Sequence, residues 1–416
     1  MAEREVDSGL RSAFLRDPVT HAVVALGFTQ IIAWGTTLYA LGVLGKPIAA
    51  DTGWSQSLVF GGLTVGLLVS SAASTHIGRL LDRRGGRAVM SAGSVLTAIG
   101  LVVLSQVSEP YAYLLTWALL GLAMRMTLYD AAFAALVQVT PARGRRAISY
   151  LTLFGGLAST VFWPIGHELN AQYGWRTTLL VFAAVNLLVC LPLHWLGLAR
   201  REPDEPAVPS KAAASGSPAE VEAPLEGAPR VMAMTLFSLI VAASAVVFGA
   251  MAVHLVPILE ATGIAGGIAV TIASLKGFAQ VAGRIWDLTL ARKWHPIDVG
   301  RVAILFMPLS FAVLMLGGAS LALALAFTLL FGISNGLVTI MRGAVPLALF
   351  GPRGYGEVLG ILATPYLLLA AVAPAAFAVV VEHYGYATGE AVLLGAGLFS
   401  FAGMEVMALW YRRRRR

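Results

Sequence analysis

The chain has 416 residues, of which 58% are hydrophobic and only 12% charged. A soluble domain covers its surface with about a quarter charged residues, so lipid is the solvent for most of this protein and a soluble fold is excluded. The formal charge of +7 does not signal nucleic acid: 23 of the 29 Lys and Arg fall in segments on one proposed face, two (Lys46, Arg176) on the other, and four (Arg125, Lys276, Arg301, Arg342) inside apolar runs. By the positive-inside bias that basic face is cytoplasmic, and the terminal run Arg412 to Arg416 is its strongest single sign.

Residues 1–19 mix acidic and basic side chains without an apolar core, so no cleaved signal peptide is expected. A spanning helix needs about 20 mostly apolar residues. Twelve stretches qualify, near 20–44, 56–75, 88–106, 111–138, 147–167, 177–198, 231–258, 265–282, 297–316, 320–349, 357–381 and 389–411. The loops at Glu109, Glu260 and Glu382 carry no Lys or Arg and alternate with basic ones, which puts both termini on the cytoplasmic side of the plasma (inner) membrane. The organisation predicted is a tail (1–19), a six-helix bundle (20–198), a flexible linker (199–230) rich in Pro, Ala, Ser, Gly and Glu, a second bundle (231–411) and a basic tail (412–416). The single cysteine, Cys190, lies in an apolar run and reads as a packing residue.

Between the second and third spans lies Gly-Arg-Leu-Leu-Asp-Arg-Arg-Gly-Gly-Arg (78–87), read as a short loop. Its first half returns at Gly283-Arg284-Ile285-Trp286-Asp287. Lys46-Pro47-Ile48 matches Val256-Pro257-Ile258, Tyr173-Gly174 matches Tyr384-Gly385, and Pro141 matches Pro352, all at offsets of 205 to 211. Ordered matches at one period mark an internal duplication.

Six plus six helices, a polar central linker and a Gly-x-x-x-Asp-Arg-x-Gly segment after the second helix together resemble the major facilitator superfamily of secondary transporters. Gly78, Asp82, Arg83 and Gly85 fall on the motif, while Arg87 supplies a basic charge one step late, after Gly86. The second copy keeps Gly283, Arg284 and Asp287 but continues Asp-Leu-Thr-Leu. The resemblance implies an all-α fold of two pseudo-symmetric bundles that rock about a central site. The motif is then a candidate conformational latch: Gly78 permits close approach of a helix from the other half, and Asp82 accepts from a helix N-terminus or pairs with Arg83 or Arg87.

Arg125, Lys276 and Arg342 lie within spans, where a basic residue costs roughly 2.5–3.5 kcal/mol. Asp130 is the one carboxylate placed well inside a span, so the sequence predicts a positive cavity that holds a small organic anion. Within the superfamily this is similar to the monocarboxylate and oxalate/formate branch, some members of which carry a basic residue in the eighth helix. Arg125 and Asp130, five apart, are about 140° around a regular helix and are not expected to share a face. Asp130 and His254 are candidate proton carriers, and Gln30, Trp34, Thr37 and Tyr39 are candidate cavity-lining groups. Importing an anion against a negative interior costs about 2.3 kcal/mol per 100 mV, which a co-transported proton cancels. The expectation is a proton-coupled symporter, acting as a monomer in the bilayer without cofactor, metal or nucleic acid. The alternative is an exporter of a drug or toxic oxyanion. The sequence has no metal-ligand cluster, nucleophile elbow or phosphate-cradling loop that would mark an enzyme.

Overall fold

The computed structural model describes residues 17–200, 224–317 and 319–415, and every regular element among them is a helix. The first half contains α1 (Pro18–Thr36), α2 (Ala40–Thr52), α3 (Gln56–Arg84), α4 (Gly86–Gln106), α5 (Pro110–Thr127), α6 (Tyr129–Val139), α7 (Gly144–Gly155) and α8 (Ala158–Val185). A π-helical turn, Asn186–Cys190, leads into α9 (Leu191–Gly197). The second half contains α10 (Gly227–Ala261), α11 (Gly266–Thr289), α12 (Pro296–Met315), α13 (Leu321–Phe350) and α14 (Tyr355–Arg415).

Among the described residues, nine continuous helical stretches are long and apolar enough to cross a bilayer. Two of them fold over at the repeated Tyr-Gly pairs, at Gly174 (φ 78°, ψ 165°) and Gly385 (φ 78°, ψ 169°), and each therefore supplies two crossings. Only glycine adopts that backbone without strain, so the sequence repeat reappears as one conformation used twice. The twelfth crossing is α11, whose 24 residues include Lys276, Gln280, Arg284 and Asp287 and are correspondingly less apolar. The helix starts are fixed by local chemistry: Asp17, Ser55 and Ser320 accept from the backbone N–H three residues on, at 3.1, 3.2 and 3.4 Å, and Pro18, Pro110 and Pro296 occupy first turns.

The two halves have separate hydrophobic cores. One runs from Ala233 to Tyr411; those of the first half are joined from the second by Tyr355 and Leu359. Most of the expected linker lies outside the described residues, but Leu225 donates to the Leu349 carbonyl at 2.9 Å and α10 begins at Gly227, inside the range assigned to the linker. The stretch 78–87 is not a loop. Helix α3 continues through Arg84, and Gly85 alone (φ 82°, ψ 154°) turns the chain into α4. Gln138 clamps that turn, accepting from Gly86 N at 2.9 Å and donating to the Leu81 carbonyl at 2.9 Å.

The halves meet along α3 and α14. A Cβ built on Gly78 would lie 2.2 Å from the Gly356 carbonyl oxygen, and one on Gly360 2.6 Å from that of Ser74. Ser71 donates to the Thr364 carbonyl at 2.7 Å, thirteen residues or roughly 20 Å of helix from Arg84. All cross-half hydrogen bonds and ion pairs among the described residues lie between that level and the arginine-rich ends. The basic face is closed, and among the described residues the opposite side has no such bond.

Candidate functional site

The central charges are brought together by a break in the fourth crossing. Leu128 is extended (φ −81°, ψ −172°), so α5 ends and α6 starts afresh at Tyr129. The break removes the helical donor to the Thr127 carbonyl. Gln30 replaces it, its Nε2 donating at 2.7 Å, while its Oε1 accepts from Trp34 Nε1 at 3.1 Å. In lipid a freed backbone group needs such a partner. Across the break Arg125 Nη1 reaches Asp130 Oδ2 at 2.8 Å, contrary to the regular-helix expectation, because the 100° step per residue does not carry through Leu128. Arg342 of α13 meets the same carboxylate, at 3.3 Å to Oδ1 and 3.4 Å to Oδ2.

Arg284 belongs with this cluster. It is 3% exposed, has no ion pair among the described residues, and leaves Nε and Nη1 without a hydrogen-bond partner. Its Nη1 occupies the space where a Cβ on Gly156 would sit, 2.0 Å away, at the junction of α7 and α8. Tyr39 and Tyr129 are within electrostatic reach of the guanidinium. Trp34 packs on Tyr39 and Tyr129 at ring distances of 5.9 and 5.2 Å, and Arg342 lies 3.7 Å over the ring of Tyr366, itself within reach of Tyr39. Three guanidiniums and one carboxylate, contributed by both halves, thus lie among the rings of Trp34, Tyr39, Tyr129 and Tyr366. Arg125 also leaves Nε and Nη2 unpartnered. Buried cationic donors without acceptors are costly, and an anion that supplies acceptors removes the cost.

The sequence model of the Major Facilitator Superfamily matches residues 23–364. The chain belongs to the Major Facilitator Superfamily. It is therefore a multi-pass membrane transporter. It is similar to an uncharacterized 38 kDa protein in the 23S RNA operon of Thermoproteus tenax, 26% identical over 392 residues that make up 92% of this chain and 94% of that protein. It is also similar to the agnestins efflux protein AgnL12 of Paecilomyces divaricatus, 23% identical over 396 residues, 92% of this chain and 84% of that protein. Among solved structures, the human organic anion transporter MFSD10 (TETRAN) superposes with a TM-score of 0.69 at 19% identity, covering 94% of this chain and all of that one. The proton:xylose symporter XylE gives a TM-score of 0.69 at 11% identity, with 92% and 94% covered. These two likenesses establish the fold.

Set on this major facilitator frame, several predicted site residues take other places. Lys276 is not on the Asp130 cluster; its ammonium lies 5.4 Å over Phe331 and forms no ion pair among the described residues. Gln30 and Thr37 are 0% and 1% exposed, and their side-chain hydrogen bonds go to Thr127, Trp34 and Ala33 at the helix breaks. Trp34 and Tyr39 contribute ring faces. His254 contacts the Pro374 carbonyl at 3.3 Å and the Phe377 ring at 4.8 Å, both on α14, and does not meet Asp130.

At the basic face, Asp82 accepts from the backbone N–H of Gly356 at 2.9 Å and of Glu357 at 2.8 Å, the first turn of α14. It pairs with neither Arg83, which is exposed, nor Arg87, which stacks over Trp195 at 4.0 Å. Arg79 pairs with Glu357 at 2.8 Å. In the second copy Gly283 packs 3.0 Å, as a would-be Cβ, from the Ile333 carbonyl oxygen, and Asp287 accepts from Ser149 Oγ at 2.6 Å with Arg145 at 3.7 Å. Arg145 also donates to the Ala291 carbonyl at 3.3 Å and to that of Trp294. Nothing in the sequence singles out Ser149, Arg145, Glu357, Tyr129 or Tyr366. The place of Arg284, expected in the latch, is marked there only by Gly156, whose missing side chain leaves room for the guanidinium.

Proposed function

We propose that this transporter carries a small organic anion, such as a monocarboxylate, in symport with a proton. The observation that supports it is the charge count of the Asp130 cluster, three buried or half-buried arginines against Asp130 alone among the described residues. Asp130 occupies Arg125 and Arg342 when ionised. Protonation neutralises it and frees two guanidiniums for a substrate carboxylate, with Arg284 as a third donor. Proton and anion binding thus favour one another, which is the thermodynamic signature of symport. The proton also cancels the cost of about 2.3 kcal/mol per 100 mV for importing one negative charge. The basic face is taken as cytoplasmic by the positive-inside bias, which puts both termini in the cytoplasm. The closed basic-face contacts then act as the latch of one access state.

The test is uptake into proteoliposomes across a panel of mono- and dicarboxylates, with and without an inward proton gradient. Asp130→Asn mimics the protonated residue, so it is expected to retain counterflow exchange of the anion while losing gradient-driven accumulation. Accumulation that persists in this variant would overturn the coupling scheme. The similarity to AgnL12, named as an efflux protein, favours a second reading as an exporter. Extrusion from inverted vesicles, rather than uptake, is its distinguishing result.

A further inference from the structure

A cleft of about 730 Å³ lies far from the Asp130 cluster, between the start of α12 and the end of α14. Val302, Leu305 and Phe401 give it an apolar strip, beside the charged Lys293, Asp298, Arg301, Glu405 and Arg412. It opens on the flank that faces lipid. Leu305 is 40% exposed and Leu309, one turn on, 41%, while Phe401 and Glu405 stack toward Leu409, which is 54% exposed.

Charges cross this flank in an ordered ladder. Glu405 holds Arg301 by two bonds of 2.7 Å, and Asp298 accepts from Arg301 at 3.4 Å and from Arg412 at 2.5 Å. Asp298 and Glu405 offset two of the three cations of the lining, Lys293, Arg301 and Arg412, and leave one net positive charge. Lys293 is exposed and has no ion pair among the described residues, Arg412 keeps 55% of its side chain exposed, and Arg413 and Arg414 follow it exposed. Trp294, 44% exposed, is the amphipathic ring favoured at headgroup level. Arg301 and Glu405 are about 30% exposed on a flank that otherwise shows leucines, where hydrocarbon is a poor neighbour for them. A cleft of net positive charge, with a lysine that has no ion pair among the described residues and an apolar strip beside it, matches a phosphate diester joined to acyl chains.

We propose that this cleft is a binding site for an anionic phospholipid, its phosphate on Lys293 and Arg412 and one acyl chain along Val302, Leu305 and Phe401. The site is independent of the Asp130 cluster and of the proposed cargo. The binding energy comes from both parts: juxtamembrane basic residues attract anionic lipid, and the chain adds apolar burial.

The experiment uses the full chain, delipidated in a neutral detergent and titrated with short-chain phosphatidylglycerol, with short-chain phosphatidylcholine and inorganic phosphate as controls. Native mass spectrometry counts bound lipid and thermal unfolding reads its effect. Phosphatidylglycerol is expected to add one retained lipid and raise the unfolding temperature, while both controls leave it unchanged. Lys293→Gln, which touches no ion pair of the ladder, is expected to weaken retention several-fold. Leu305→Trp, which fills the apolar strip and leaves every charge in place, is expected to do the same. Equal retention by parent and both folded variants, equal binding of phosphatidylcholine, or an equal shift with inorganic phosphate would overturn the proposal.

Discussion

The two copies of Gly-Arg-x-x-Asp occupy equivalent helices, yet their arginines have opposite fates. Arg79 keeps 49% of its side chain exposed and pairs with Glu357 at the surface, whereas Arg284 is 3% exposed and turned toward Gly156. The partner helix makes the difference. Opposite the first copy, α14 begins at Tyr355 and offers free N–H groups to Asp82, leaving the arginine outside. Opposite the second, α7 runs past with Ser149 and Arg145 to hold Asp287, and its glycine-lined end admits the arginine to the Asp130 cluster. A duplicated motif keeps its backbone register while its chemistry is set by what it packs against.

The largest effect expected from this asymmetry is at Arg284. A hydrogen bond to a charged group contributes about 1.5–3 kcal/mol, so Arg284→Gln is expected to weaken anion binding roughly tenfold to a hundredfold. The same change at Arg79 is expected to leave binding within about twofold, as suits a surface pair. Uptake kinetics and ligand-induced thermal shifts on the two purified variants measure both. Equal losses would mean that the copies do the same work.

The glycines sharpen the contrast by a different physical route. At Gly78 an added methyl meets the Gly356 backbone, 2.2 Å away, so α3 and α14 must separate; overpacking of this kind costs about 1–3 kcal/mol. Gly78→Ala is expected to open the basic face, read as increased labelling of an introduced cysteine there. At Gly156 the methyl meets the tip of Arg284, which can swing aside, and lies 3.3 Å from the Leu153 carbonyl oxygen. Gly156→Ala is expected to leave access unchanged and to reproduce part of the Arg284→Gln binding loss.

The fold was legible because lipid imposes a simple rule: apolar stretches of spanning length announce themselves, and basic residues mark one face. The same rule explains what was hidden. Nothing in Met126-Thr127-Leu128-Tyr129 signals a helix break, since neither proline nor glycine is present, and the break is sustained by Gln30 from a distant part of the chain. Extrapolating 100° per residue through Leu128 separated Arg125 from Asp130, which are in contact. Lys276 was charged and central like the arginines, but which way a side chain leaves α11 is decided by neighbours such as Phe331. For Asp82 the sequence leaves a helix N-terminus or Arg83 and Arg87 open as partners, and the N–H groups of Gly356 and Glu357 take the carboxylate.

Asp82 and Asp287 give a smaller expected difference. Asparagine keeps an acceptor oxygen but loses the charge that favours a helix N-terminus, a contribution of about 0.3–2 kcal/mol. Asp82→Asn is expected to shift the access equilibrium toward an open basic face while leaving insertion intact. Asp287→Asn removes the counter-charge of Arg145 and is expected to act in the same direction, with more dependence on salt because Arg145 keeps 27% of its side chain exposed. Cysteine labelling at two ionic strengths separates the two.

The smallest effect belongs to the surface pair itself. Arg79 and Glu357 are 49% and 39% exposed, a setting in which ion pairs typically contribute about 0.2–1 kcal/mol. A double-mutant cycle with Arg79→Gln and Glu357→Gln, read by thermal unfolding, is expected to give a coupling in that range that fades in high salt. Coupling several times larger and insensitive to salt would mean that Arg79 is drawn into the helix interface during the cycle. In that case the exposed arginine of the first copy and the buried one of the second would be two stages of a single movement, and the asymmetry between the halves a property of the closed basic face alone.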